Sequence, residues 1–285
     1  MSEYQKKGIL YLVPTPIGNL EDITLRALRI LKEVDLIASE DTRNTQKLLN
    51  HFEIKTPQIS YHQHNEKMRS EEIIQKLLNG MTIAQVSDAG MPSISDPGVV
   101  LVQLAIEHHI QVIPLPGANA ALTALIASGI APQPFIFYGF LPSKNKDRKE
   151  TLKALANKEE TIILYESPHA LKNFLKEAMH YFTPNRQIVL AREVTKRYEE
   201  FIRGSFQEIV SWAEMTDIRG EFVIIIAGNE MPIVADEEWK YWTIKEHIQY
   251  IMKEQNIRSK EAIKQVAKLR NIKTNEVYAI YHGLS

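Results

Sequence analysis

Three segments of this 285-residue chain concentrate residue types suited to holding a small molecule. PTPIGNLED at 14–22 combines two prolines with Gly18, which together fix a tight, rigid turn. SDAGMPSISDPG at 87–98 packs two Ser-Asp pairs, two prolines and two glycines into 12 residues. Glycine lets backbone approach a ligand closely and proline removes backbone freedom, so such a loop is shaped before anything binds. It is also longer than the roughly 2–6 residues of an ordinary connection in an α/β unit. PGANA at 116–120 has the same character. Four shorter segments, EDTR at 40–43, YESPHA at 165–170, REVTKRYEE at 192–200 and RGE at 219–221, set acidic beside basic residues. Any one of them is explained by a helix cap or a surface ion pair; Asp41 and Thr42 suffice to cap Arg43–Leu49. Their recurrence at successive strand ends points to one shared site.

Other chemistries are excluded or unsupported. The absence of cysteine removes disulfides, thiolate metal sites and cysteine nucleophiles. There is no G-x-G-x-x-G after the first strand, no G-x-x-x-x-G-K-[ST] and no G-x-S-x-G. His62 and His64 can share a strand face but lack a third ligand at useful spacing, so no metal site is expected.

The elements that must position these loops follow from hydrophobic spacing. Ile9–Val13, Val34–Ala38, Thr82–Val86 and Gln111–Leu115 read as buried strands. Between them, Thr24–Lys32, Thr42–Leu49 and Asn65–Leu78 show helical spacing with polar caps, the last closed by Gly80. Alternation of this kind predicts an α/β domain with a largely parallel sheet. A second series has strands at Phe135–Phe140, Thr161–Tyr165, Gln187–Ala191 and Phe222–Ala227, with helices at Asp147–Ala156 and Pro168–Met179. The joint between the two series falls in PLPGANA, giving domains at 1–116 and 117–230. Residues 231–239, acidic and proline-containing, read as a linker to a small helical domain at 240–285. There, Ser259 is placed to cap one helix and Thr274 another, around a turn at Arg270–Asn271, in a helix-turn-helix-like arrangement.

A net charge of −1 hides strong local differences. It is −3 over residues 1–139, +4 over 140–203, −7 over 204–239 and +5 over 240–285. Two basic zones suited to a polyanion therefore sit in an otherwise acidic chain. The polar start MSEYQKKG lacks the apolar stretch of a secretory signal, and the weakly polar run Ala118–Ala131 falls short of the about 20 residues that span a bilayer. A soluble cytoplasmic protein with no membrane partner is the expectation.

Taken in order, GILYLVPTPIGNLEDITLRAL, EDTRNTQKLL, SDAGMPSISDPG, PGANA, GFLP, YESPH, REVTK and RGE resemble the bacterial small-subunit (16S) ribosomal RNA cytidine 2′-O-methyltransferase I family. That family lies within the tetrapyrrole methylase (class III S-adenosylmethionine-dependent methyltransferase) superfamily, and the likeness covers about residues 8–228. It implies two α/β domains with an S-adenosyl-L-methionine cleft between them, usually in a homodimer. It also implies methyl transfer to the ribose 2′-hydroxyl of a cytidine in the decoding region, with 16S ribosomal RNA or the small ribosomal subunit as partner. Two positions depart from many relatives: Ala118 replaces the second proline of PGP, and Ala170 replaces an arginine after YESxH, a charge that Lys172 is positioned to replace.

On this resemblance, Pro14, Asp88, Ala89, Gly90, Ile94, Asn119 and Ala120 are cofactor-binding candidates, and Tyr165, Ala191 and Gly220 lie near the adenine end. An activated sulfonium methyl needs alignment and exclusion of water more than a nucleophilic machine. Glu166 and Glu193 are candidates to take the hydroxyl proton, and Lys196 to lower the hydroxyl's pKa by its charge; ion pairing around the cleft explains all three equally well. Arg43, Lys144, Lys146, Arg148 and Lys149, with the basic tail, are the RNA-binding candidates. Two other functions use parts of the same pattern: a precorrin or other tetrapyrrole C-methyltransferase, and a non-catalytic ribosome-binding protein.

Overall fold

The computed structural model describes residues 7–230, 242–255 and 257–283. The expected linker at 231–239 lies outside the described residues. The chain divides into two compact units, Met1–Glu230 and Met231–Ser285.

The first unit holds two five-stranded sheets. In the first, β1 (Ile9–Leu12), β2 (Leu36–Ser39), β3 (Gln58–Ser60), β4 (Ile83–Val86) and β5 (Gln111–Pro114) run parallel in the order β3-β2-β4-β1-β5. Strict alternation sends Leu10, Leu36, Ala38 and Ile83 to one face, under α3 (Glu66–Leu78) and α4 (Val99–Glu107). Val13, Ile37, Ala84 and Val86 go to the other, under α1 (Leu25–Glu33) and α2 (Thr42–His51). Because β1 leads into α1 and the adjacent β4 into α4, the chain leaves these two central strands toward opposite faces. Open α/β sheets bind ligands in the crevice opened by such a reversal. Here the loops after β1 and β4 are tied together by paired backbone hydrogen bonds between Thr15 and Gly90, 3.0 Å each way.

The second sheet has the order β6-β7-β10-β8-β9, from β6 (Phe135–Gly139), β7 (Thr161–Glu166), β8 (Gln187–Arg192), β9 (Glu200–Ser205) and β10 (Phe222–Ile226). Only β6 and β7 are parallel; the remaining pairs are antiparallel, so the parallel pattern of the first series does not extend to the second. One face packs on α6 (Asn145–Ala156), α7 (Pro168–Ala178) and α8 (Phe206–Met215). The opposite face carries Ile163, Tyr165, Val189, Ala191, Val223 and Ile225 and packs on α5 (Ala120–Ser128). Among the strands and α-helices of this unit, β3, α4, α5, β9 and α8 escape the sequence reading. The helices α4 (VVLVQLAIE) and α5 (AALTALIAS) carry apolar residues on their exposed as well as their buried sides, which blurs the 3.6-residue period. The helix expected from Asp147 begins two residues earlier, at Asn145.

In the second unit, α9 (Ile244–Gln255), α10 (Ser259–Arg270) and α11 (Thr274–His282) pack around Ile248, Ile263, Val266 and Val277. The left-handed Asn271 makes the turn. The capping expectation is corrected here: Arg258 and Lys273 occupy the cap positions without side-chain caps, while Ser259 and Thr274 are already the first helical residues. Among the described residues no helix is long and apolar enough to cross a membrane.

Candidate functional site

The switch-point loops of the first sheet and one face of the second enclose a cavity of about 310 Å³, at the lower end of the roughly 300–1,000 Å³ usual for small-molecule pockets. From the first side come Ile17, Ala89, Gly90, Met91, Ile94 and Asp96; the start of α5 adds Asn119 and Ala120. From the second come Tyr165, Ala191 and Val223, which sheet register places side by side: Val223 is level with Tyr165 on β7 and with Ala191 on β8.

Of the cofactor candidates, Ala89, Gly90, Ile94, Asn119, Ala120, Tyr165 and Ala191 line this cavity, whereas Pro14, Asp88 and Gly220 do not. Asp88 has another task. Its carboxylate accepts from the Asp41 N–H at 3.1 Å and the Asn44 amide at 3.0 Å, so it ties the start of α2 to the 87–98 loop. Asn119 caps α5 by accepting from the Leu122 N–H. Gly220 shapes the site from behind: at φ +84° it admits the Glu193 side chain, whose Cγ would lie 2.5 Å from an added Cβ.

The three candidates for proton chemistry all reach the cavity wall. Lys196 Nζ donates to Glu193 Oε1 at 2.9 Å and to Glu221 Oε2 at 2.7 Å, and the Glu221 N–H donates to Glu193 Oε1 at 2.9 Å. Burial pushes the Glu193 carboxyl up, but the Glu221 N–H and Lys196 outweigh it and hold its pKa below the ordinary value. Burial likewise opposes the Lys196 charge, yet the two carboxylates hold its pKa above normal. Glu166 accepts from the Ser167 N–H at 2.9 Å and faces Arg148 at 3.6 Å.

Glu221, Asp96 and Phe140 are cavity residues that the sequence reading did not single out. Asp96 lay in plain view in the second Ser-Asp pair. Burial, followed by the negative charges of Glu40 and Asp88, raises its pKa to about 6. Burial also raises Glu40 and Tyr165.

The RNA-binding candidates lie outside the cavity lining. The Arg43 side chain is 86% exposed but pairs with Asp41 at 2.7 Å, and this pairing lowers the Asp41 pKa to about 2. Lys144, Lys146 and Lys149 are exposed on the start of α6, whereas Arg148 turns in to pair with Glu177 at 2.8 Å as well as with Glu166. The rings of His62 and His64 lie 5.8 Å apart, and no group of three or more potential metal ligands occurs among the described residues.

Residues 9–210 match the family model described as Tetrapyrrole (Corrin/Porphyrin) Methylases. The Ribosomal RNA small subunit methyltransferase I of Bacillus subtilis (strain 168) is 53% identical, over 96% of this chain and 94% of that one. The chain belongs to the ribosomal RNA small subunit methyltransferase I family of tetrapyrrole methylases. The family member from Halalkalibacterium halodurans is 51% identical, over 97% of this chain and 95% of its own. Among solved structures, uroporphyrin-III C-methyltransferase from Thermus thermophilus, complexed with S-adenosylhomocysteine, superposes with a TM-score of 0.55 at 17% identity. It covers 77% of this chain and 97% of its own length, a likeness of fold. Matches to methyltransferase I proteins thus extend over almost the whole chain, whereas the tetrapyrrole methylase model stops at residue 210.

Proposed function

We propose that this chain transfers a methyl group from S-adenosyl-L-methionine to the ribose 2′-hydroxyl of a cytidine in the decoding region of 16S ribosomal RNA. The observation that carries this reading is near-full-length likeness to proteins named ribosomal RNA small subunit methyltransferase I, basic C-terminal unit included. A tetrapyrrole substrate would leave that +5 tail without a role, and a purely binding protein would leave the cavity without one.

The cavity suits such a methyl donor. Four carboxylates (Asp96, Glu166, Glu193 and Glu221) and a single lysine line it, a negative surround for a sulfonium cation. Tyr165, Ala191 and Val223 offer an apolar face for an adenine ring, while the backbone at 89–91 and the first N–H groups of α5 offer partners for polar ends. When bound, the cofactor supplies an activated methyl group. The chain aligns the hydroxyl with it and excludes water. In this reading Glu193, Lys196 and Glu221 form a fixed charged wall beside the reacting groups, and Glu166 is held by Arg148. Residues 1–116 and 117–230 act as the two lobes of the cleft, within one compact unit.

RNA would meet Arg43, Lys144, Lys146 and Lys149, with the basic tail adding affinity from phosphate contacts; recognition of a ribose hydroxyl depends on RNA shape as well. A homodimer is supported by apolar helix surface left open: Val99 and Ile106 on α4, and Leu122 and Ile126 on α5, are 47–80% exposed. Ile126→Lys is expected to shift the molar mass measured by light scattering from dimer to monomer.

Incubating the protein with methyl-labelled cofactor and small ribosomal subunits, or with tetrapyrroles, tests the main reading. Label at one cytidine ribose is the expected result. Label on a tetrapyrrole, or on neither substrate despite cofactor binding, would remove it.

A further inference from the structure

Four carboxylates line the cavity, and three of them are already engaged. Glu193 and Glu221 share Lys196, and Glu166 is held by Ser167 and Arg148. Asp96 differs. No hydrogen bond or ion pair to it occurs among the described residues, and the charges that bear on it, Glu40 and Asp88, are both negative. A group that removes a proton needs a free lone pair facing the reacting atom, and a carboxylate clamped by a lysine has surrendered much of its basicity.

We propose that Asp96 is the catalytic base that takes the proton from the hydroxyl being methylated. This rests on the methyl-transfer reading above. As the 2′-oxygen bonds to the methyl carbon, the methyl–sulfur bond breaks and its electron pair stays on sulfur, leaving a neutral thioether. The hydroxyl proton passes to an Asp96 carboxylate oxygen and then to water once the product leaves.

The fold holds Asp96 in place without consuming its side chain. The buried Gln85 amide donates to the Pro97 carbonyl at 2.6 Å, and the Gly98 N–H donates to Glu66 at 3.1 Å, fixing the backbone just beyond it. Gly98 sits at φ +147°, and a Cβ there would lie 2.0 Å from Ser93 Oγ and 2.4 Å from Gln85 Nε2. Glu40 is locked against the same loop by the Asp88 N–H at 3.1 Å. The titratable groups facing Asp96 are therefore Glu40, Asp88 and Tyr165, with Glu166, Glu193, Lys196 and Glu221 across the cavity. A pKa near 6 suits a base that must be ionised near neutral pH and still bind a proton.

The test uses the full chain with small ribosomal subunits and labelled cofactor. Asp96→Asn is expected to lower turnover at saturating cofactor and RNA by at least about 100-fold, within the usual range for losing a general base. The wild-type acid limb of kcat/KM, near pH 6, should vanish in Asp96→Asn and move to lower pH in Glu40→Gln, where one like charge is gone. Independently of activity, a carbon-13 carboxyl resonance absent from Asp96→Asn should titrate near pH 6 in the protein alone. Glu40→Gln should lower its midpoint. Turnover of Asp96→Asn within about tenfold of wild type, an acid limb that survives the substitution, or a resonance titrating at the ordinary value each overturns the proposal. If wild type labels RNA and Asp96→Asn keeps pace, only this proposal fails; if wild type labels no RNA, the functional reading fails with it.

Discussion

The two walls of the cavity are built on opposite principles. The wall from the first sheet is a backbone structure: Thr15 and Gly90 bridge two loops, Gln85 and Glu66 pin Pro97 and Gly98, and the Asp96 carboxylate has no hydrogen-bond or ion-pair partner among the described residues. The wall from the second sheet is held by side-chain charge, with Lys196 clamped between Glu193 and Glu221. Where backbone carries the shape, a charged side chain stays available for chemistry. Where side chains carry the shape, their charges are neutralised by one another, and the pKa values of Glu193 and Lys196 move toward the ionised forms.

Substitutions that exchange these roles should break the contrast. The largest effect is expected from Gly98→Ala, which puts a Cβ against Ser93 and Gln85 at a backbone angle unsuited to alanine. A loss of about 3 kcal/mol in urea unfolding, together with weaker cofactor binding, is the expected outcome. An undiminished stability would mean that the 87–98 loop is not held as rigidly as its hydrogen bonds imply.

Next comes Lys196→Ala. Removing the cation leaves Glu193 and Glu221 facing each other unscreened, so the charged wall should loosen. Turnover is expected to fall about 30-fold, equivalent to about 2 kcal/mol, with cofactor affinity changed far less; equal turnover at saturating cofactor and RNA would show that the clamp has no part in the reaction.

A smaller change, and of opposite sign, is expected in the stability of Asp96→Asn. The Asp96 pKa is raised from 3.8 to about 6 on folding, so its ionisation opposes the folded state. Relative to wild type the variant should show no gain below about pH 4, a rising gain from there to about pH 6, and a plateau above. Discounted for partial solvent exposure, the plateau should be about 1 kcal/mol. Thermal melts across that pH range check it, and a flat difference would mean that Asp96 titrates normally. This is the pattern of a site where function is kept at some expense of stability.

The smallest effect is expected at Arg43→Ala. Its ion pair with Asp41 is exposed, so the fold should not notice. Affinity for small subunits should weaken a fewfold at low salt and less at high salt, as expected when one phosphate contact is lost. A salt-independent change would argue for a contact other than phosphate.

Much of the first wall could be read before any coordinates, because glycine and proline act locally. The loops at 14–22, 87–98 and 116–120 announce their shape in their own residues. The second wall was only partly legible. Tyr165 and Ala191 came from family resemblance, and their alignment with Val223 depends on the register of an antiparallel pairing that brings distant segments together. Helices α4 and α5 escape such a reading because apolar residues on their exposed sides blur the periodic signal, and β9 because its alternation is broken by charge.

The sequence by itself determined where the rigid loops lie, that the first half alternates strand and helix, and that no thiol takes part. It also determined that positive charge gathers at 140–203 and in the tail. The tertiary structure alone decided which acid is free. Glu193 lies three residues from its lysine, but the second carboxylate of the clamp, Glu221, lies 25 residues beyond that lysine, just before β10. Glu40 and Asp88 reach Asp96 only because the loops after β2 and β4 end side by side. An acid's strength and availability are set by the partners within a few ångströms, and those partners are chosen by strand order and register.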